Sequence, residues 1–264
     1  MKYFLQCIIT GKTCEDVRRH KDIRLATTPT QADKLLSKAS YSHHVIYEEN
    51  FAAIELQKTT VILDKPRYIG ACVLDLSKLI MYRFHYEYLM PRYPEAKLLF
   101  TDTDSFCYWI PSKTDLYQDM KQHGAGWFDF SNYPIDSDLF DNDVNHLIPG
   151  RFKDEMAGEI ITEFVGLRAK MYSILTLNGF NKKTAKGVIS EVKNMQIRHN
   201  DFKTCLFEEK VFTHTGAKIA SNRHQLSTVN ITKKTLSPYN DKRWIEKQSD
   251  KTYRCHSFGH LDTL

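Results

Sequence analysis

Long hydrophobic runs are missing from this sequence: no window approaches the 18 consecutive apolar residues that a membrane span needs. The opening stretch, MKYFLQCIITGKTC, has one early lysine and a brief apolar core, so no signal peptide is expected. Paired cysteines are missing as well. The six that occur, Cys7, Cys14, Cys72, Cys107, Cys205 and Cys255, lie far apart with no CxxC. That pattern suits free thiols in a reducing compartment better than a disulfide frame or a zinc site. Internal repeats and low-complexity linkers are absent too. What is present is an ordinary globular balance, 42% hydrophobic and 26% charged residues over 264 positions. This length is enough for one large domain or two modest ones with a real core.

The net charge of +5 conceals an asymmetry. Residues 98–165 hold 13 Asp and Glu against 4 Lys and Arg, a balance of −9, whereas residues 180–264 hold 8 against 16, a balance of +8. Single charges are usually just solvated. Blocks of opposite sign on one chain point instead to a cation site beside a polyanion site.

Periodicity gives an α+β expectation. A short strand at Ile23–Thr27 precedes a helix capped by Thr30, and HHVIYEENFAAIELQKTTVIL reads as a β-meander whose first turn is Glu48–Asn50. A helix is expected from Asp75 to Met90, capped by Asp75 or Ser77 and ended by Pro91. Its stripes Leu79–Arg83–Tyr86–Met90 and Ile80–Phe84–Tyr88 imply burial on most sides. Strands Lys97–Thr101 and Ser105–Ile110 form a tight hairpin, and GEIITEFVGLRAKMYSILTL a second pair turning near Gly166. Beyond Asn181 the pattern is basic and mainly helical to about Phe207, then irregular. Strands and helices segregated in this way argue against a doubly wound sheet.

The most informative stretch is LLFTDTDSFCYWI, residues 98–110. It sets Asp102 and Asp104 one residue apart between two apolar segments. An isolated D-x-D is best read as a turn in which Asp bonds its own backbone. Two repelling carboxylates between buried strands call for something positive, because an unpaired buried charge costs several kcal/mol. Carboxylates held at a hairpin tip suit a hard cation such as Mg²⁺, with substrate phosphates completing its shell.

TDTDS after a hydrophobic strand resembles motif C of the family B DNA polymerases. KPRYIGACVLDLSKLIMYRFHYEYL leading into LLFTDTDSFCYWI, then FKDEMAGEIITEFVGLRAKMYSI, is similar to the protein-primed branch found in Polinton/Maverick-type transposons, related viruses and linear plasmids. The tail HQLSTVNITKKTLSPYNDKRWI resembles the end of such polymerases, so the likeness runs from about Gly11 to about His260. It implies a remnant of the fingers helix at 1–12, a partial palm at 13–178 and a mainly helical thumb and tail at 179–264.

The resemblance also implies roles. Asp104 would be the principal metal ligand and Asp102 a supporting one, holding Mg²⁺, or Mn²⁺ in its place. The reaction would be attack of a primer 3′-hydroxyl on the α-phosphate of a dNTP, driven by positioning and charge neutralisation. Lys170 and Tyr172 match the K-x-Y motif that contacts primer–template DNA, and on a strand they would share one face. Lys186 and Gly187, in KKTAKGV, would approach the phosphate backbone, with glycine permitting close contact. Lys193, Arg198, Lys203 and Lys210 would line the thumb's DNA face, binding without regard to sequence. The expected partners are primer–template DNA, dNTP and a terminal priming protein, wherever the template lies, in the nucleus or elsewhere inside the cell.

The sequence departs from the family in two places. No D-x-x-S-L-Y-P-like motif A is found, and of motif B only Gly11 fits, with Thr10 where an aromatic should be. The chain is thus expected to begin at the end of the fingers, to bind metal weakly and to expose apolar surface left by missing strands. The alternative is a catalytically dead DNA-binding transposon remnant. A third reading takes the two aspartates as a mere turn in a structural protein.

Overall fold

The computed structural model describes residues 11–124, 126–142, 144–239, 243–249 and 252–257. Most of the expected fingers remnant therefore lies outside the described residues. The architecture is mixed α and β, with several small antiparallel sheets. The chain divides into two compact units, one of Met1–Pro94, Leu147–Arg151 and Lys218–Val229, the other of Glu95–His146, Phe152–Ala217 and Asn230–Leu264.

In the first unit β1 (Asp22–Ala26), β2 (Tyr41–Glu48) and β3 (Phe51–Leu56) form a sheet in the order β1-β3-β2. Helix α1 (Pro29–Leu36) crosses between the first two strands. Its cap is Thr28 rather than the expected Thr30. Thr28 is extended at φ −138°, accepts the Gln31 N–H and places Pro29 in the first turn, where its missing N–H costs nothing. Ala26, Ile54 and Leu56 form the buried centre, covered by Ala32, Leu35 and Leu36 of α1. The meander is corrected too. β1 takes the free edge of β3, from Asp22 opposite Leu56 to Ala26 opposite Ala52, so both edges of β3 are filled. Residues 57–66 then form no strand.

Helix α2 runs Arg67–Arg83 and continues as a π-helical turn, Phe84–Leu89, and a last α turn, Met90–Arg92. It starts about two turns before the expected Asp75 or Ser77 cap, directly after Pro66. The expectation of burial on most sides also fails. Ser77, Met81, Phe84 and Tyr88 form one buried stripe at helical spacing, while Leu76, Tyr82 and Tyr86 are about 60% exposed or more. The chain stays helical one residue past Pro91. The wider π turn ahead of it accommodates a ring with no N–H to give.

The second unit carries hairpin β4 (Lys97–Asp102) and β5 (Ser105–Trp109), helix α3 (Leu116–His123), and sheet β6 (Ile161–Arg168), β7 (Met171–Thr176), β8 (Asn181–Ala185). A π turn at Val192–Gln196 leads into α4 (His199–Phe207). Its core gathers Val165, Met171, Ala185, Val192, Ile197, Phe202, Cys205 and Leu236, the last four fully buried. Burial of these side chains supplies most of the unit's stability, at about 25 cal/mol per Å² of apolar surface. Beside it lies a polar chain. The Ser173 hydroxyl meets His199 Nδ1 at 2.8 Å, and His199 Nε2 meets Glu163 at 2.9 Å. Lys203 also binds Glu163 and, ahead of His199, holds its carboxyl below the usual range.

Two more expectations are corrected here. The β6–β7 turn is Ala169–Lys170, not Gly166, which pairs with Tyr172 inside the ladder. The stretch after Phe207 is not irregular. It forms two hairpins, β9 (Phe212–Asn222) with β10 (Gln225–Leu236) and β11 (Arg243–Ser249) with β12 (Thr252–Ser257). From Phe212 to Ala217 β9 alternates half-buried and exposed residues, the period-2 signature of a strand with one covered face. At Gly216 a Cβ would come within 2.6 Å of Val192, so the close packing there needs glycine.

Candidate active site at an acidic hairpin tip

Strands β4 and β5 are joined by Thr103 and Asp104 alone, with Asp102 opposite Ser105. Thr103 adopts φ 58°, a left-handed conformation costly for a β-branched side chain. The Asp104 N–H donates to the Asp102 carbonyl at 2.6 Å, and the Ser105 hydroxyl donates to the same oxygen at 3.3 Å. Two of the turn's self-made bonds therefore fall on the Asp102 carbonyl, while the Asp104 carboxylate also interacts with its own backbone N–H. The Thr103 hydroxyl touches the Asp102 carboxylate at 3.4 Å, a long contact.

The partner of Asp102 is Lys170. Its Nζ lies 2.6 Å from Asp102 Oδ1. Lys170 stands in the β6–β7 turn at φ 58°, so it is not on a strand beside Tyr172 as the sequence suggests. Left-handed backbone at this turn aims its ammonium at the neighbouring hairpin, and the hydrogen bond to Asp102 raises the lysine's pKa. Tyr172 sits on β7, nine-tenths buried, with its ring stacked on Phe100 of β4 at 4.2 Å between centroids and 19° between planes. Phe164 of β6 completes the aromatic layer. These rings clamp β4 against β6 and β7, which fixes the acidic tip relative to the lysine turn.

Lys186 joins them. Its N–H donates to the Lys170 carbonyl at 3.0 Å, and Gly187 follows at φ +91° with open space where a Cβ would point. The residues singled out in the sequence, Asp102, Asp104, Lys170, Tyr172, Lys186 and Gly187, thus belong to adjoining turns and strands of one unit. The wider basic set is less uniform. Lys203 is bound to Glu163, Lys210 lies over the Phe212 ring at 5.3 Å, and Arg198 caps α4.

Asp104 differs from its neighbour. Burial chiefly raises its pKa against the opposing bond from its own backbone N–H, the charges of Asp102 and Glu155 add to the rise, and Lys170 works against it. Glu155, not foreseen from the sequence, is a third carboxylate in this field and is itself paired with Lys182 of β8. Only its place in the acidic block 98–165 marked it. Among the described residues no lysine or arginine forms an ion pair with Asp104, and no group of three or more His, Cys, Asp or Glu is gathered closely enough to hold a metal ion. The donor set fits a hard divalent cation only in part. Two carboxylates, one of them with no cationic partner, match the one or two that Mg²⁺ takes when substrate oxygens supply the rest.

Comparison with protein-family models, curated proteins and solved structures finds no match for this chain. Among the described residues no helix is long and apolar enough to cross a membrane.

Proposed function

We propose that this chain carries the motif C and K-x-Y portion of a protein-primed family B DNA polymerase. The supporting observation is the 2.6 Å Lys170–Asp102 contact, which joins two motifs 68 positions apart that the sequence suggested separately. Asp104 and Asp102 would hold the metal, Lys170 and Lys186 face primer–template DNA, and Tyr172, nine-tenths buried, acts through its ring stack on Phe100. A divalent cation held there would neutralise charge on the dNTP phosphates and polarise the reacting phosphorus. The hairpin's contribution is rigidity, since both acids sit on a two-residue turn clamped by Phe100 and Tyr172. Lys170 holds Asp102 oriented until nucleotide arrives. Turnover needs a further carboxylate of the motif A kind.

The test is primer extension with Mg²⁺, by the chain alone and mixed with a palm fragment that carries motif A. Asp104→Asn is expected to lower extension at least about 100-fold, the scale set by one positioned charge. Extension that is absent in both mixtures, or indifferent to Asp104, rejects the reading. A second reading, DNA binding without chemistry, is favoured by one observation: Lys170 already neutralises Asp102. It predicts salt-sensitive binding to primer–template, no incorporation, and Mn²⁺ binding that Asp104→Asn leaves unchanged.

A further inference from the structure

The first unit contains a basic cleft remote in sequence from the acidic hairpin. It has a volume of about 400 Å³ and lies at one end of the β1-β3-β2 sheet. Three backbone features build it. Asp22 and Arg24 stand two apart on β1, so they share a face of that strand. The turn after α1 closes with the Tyr41 N–H donating to the Lys38 carbonyl at 2.9 Å, which sets Lys38 at the rim. The Gln57 N–H then donates to the Ser40 carbonyl at 2.6 Å, which carries the 57–60 segment alongside that turn.

The charges in this cleft do not cancel. Lys21, Arg24, Lys38 and Lys58 line it against a single acid, Asp22. Asp22 is taken up by Arg24 at 2.8 Å, and Lys21 is held by Glu55 at 2.6 Å. Lys38 and Lys58 remain. Among the described residues neither makes an ion pair or a side-chain hydrogen bond, although both line the same concavity. Two like charges converging on one cleft repel each other, and an anion lying between them removes that cost. Thr59 and Thr60 line the same cleft, and their hydroxyls are neutral donors.

We infer that this cleft is a phosphate-binding site. Lys38 and Lys58 hold the charge as point contacts, and the threonine hydroxyls complete the shell. Lysines suit phosphate in this setting because a tetrahedral dianion accepts from several directions at once. The same chemistry arises from two sources, the backbone of a polynucleotide strand or the terminal phosphates of a small polyphosphate. The site shares no residue with the proposed polymerase chemistry, so either can fail alone.

The test compares the full chain with the double variant Lys38→Glu/Lys58→Glu. Lys34→Glu, on α1 outside the cleft, controls for a charge reversal that does not touch the site, and Lys38→Arg/Lys58→Arg controls for side-chain loss. Binding of a fluorescent single-stranded oligonucleotide is followed by anisotropy over a salt series. Inorganic triphosphate is titrated separately by calorimetry. The charge-reversed variant is expected to lose at least tenfold in affinity for one of these probes. If that probe is the oligonucleotide, its salt slope should also fall by about 1–2, one for each phosphate contact removed. The arginine variant should retain binding. Loss confined to the oligonucleotide identifies a strand backbone, and loss for triphosphate identifies terminal phosphates. The inference is overturned if neither probe binds, if the reversed variant binds as the parent does, or if Lys34→Glu loses as much. Matching circular dichroism melts confirm that each variant is folded.

Discussion

Asp104 is an ionisable group that the folded chain disfavours in its charged form. Burial leads the effect, with Asp102 and Glu155 behind it. A carboxyl whose pKa is raised on folding opposes the fold wherever it is ionised, above that raised value, and ceases to do so once protonated. Asp104→Asn is therefore expected to stabilise the metal-free protein at pH 7, by about 0.5 kcal/mol or less because solvent screens the site. The gain should vanish as pH falls below the ordinary carboxylate range. Urea unfolding of both proteins at pH 7 and pH 3.5 would measure it. The same variant should forfeit any stabilisation by Mg²⁺, so one residue moves stability and ligand response in opposite directions.

The next scale is the aromatic clamp. Phe100, Tyr172 and Phe164 join the acidic hairpin to the β6–β7–β8 sheet, and Phe100 is half-buried. Phe100→Ala should cost about 2 kcal/mol, below the 3–5 of a fully buried phenylalanine, as read by chemical denaturation. Its sharper signature is local. The hairpin loses its anchor and the Lys170–Asp102 contact loosens, which hydrogen exchange at residues 102–105 would detect. Much of this element was legible in the sequence, because two apolar runs around DTD can hardly be anything but a hairpin. The lysine turn was legible only as a motif. K-x-Y suggests a shared strand face, whereas Lys170 sits in left-handed backbone, a choice that nothing in its side chain announces. Strand β8 was hidden for a different reason. NKKTA opens a stretch that reads as basic and mainly helical, yet it forms an edge strand whose ladder bonds to β7 do not require apolar side chains. Glu155 escaped because its partner Lys182 lies 27 positions away, and no local pattern links them.

At the scale of the whole molecule, charge is arranged in blocks and apolar surface is left uncovered. Acidic residues cluster around the β4–β5 hairpin and the segment after it, while basic ones dominate from β8 onward. Along α2, Leu76, Leu79, Tyr82 and Tyr86 are all exposed, a face too extensive for isolated surface hydrophobes. Replacing Leu76 and Tyr82 by Glu should leave the unfolding free energy within about 0.5 kcal/mol, since both are largely exposed. Self-association seen by light scattering should fall. Unchanged scattering would mean that this face is not what brings copies together.

One arrangement inside the second unit also shows what proximity alone does not confer. Ser173, His199 and Glu163 stand in the same serine–histidine–carboxylate succession by which hydrolases activate a nucleophile, with the two ring nitrogens exchanged. Yet Ser173 has no solvent-accessible surface at all, and its hydroxyl is also directed to Asn181. No acyl group can approach it, so the relay works as a strut that ties α4 to the sheet. A search for hydrolases by interatomic distance would retrieve this protein, and a covalent serine reagent would leave it untouched.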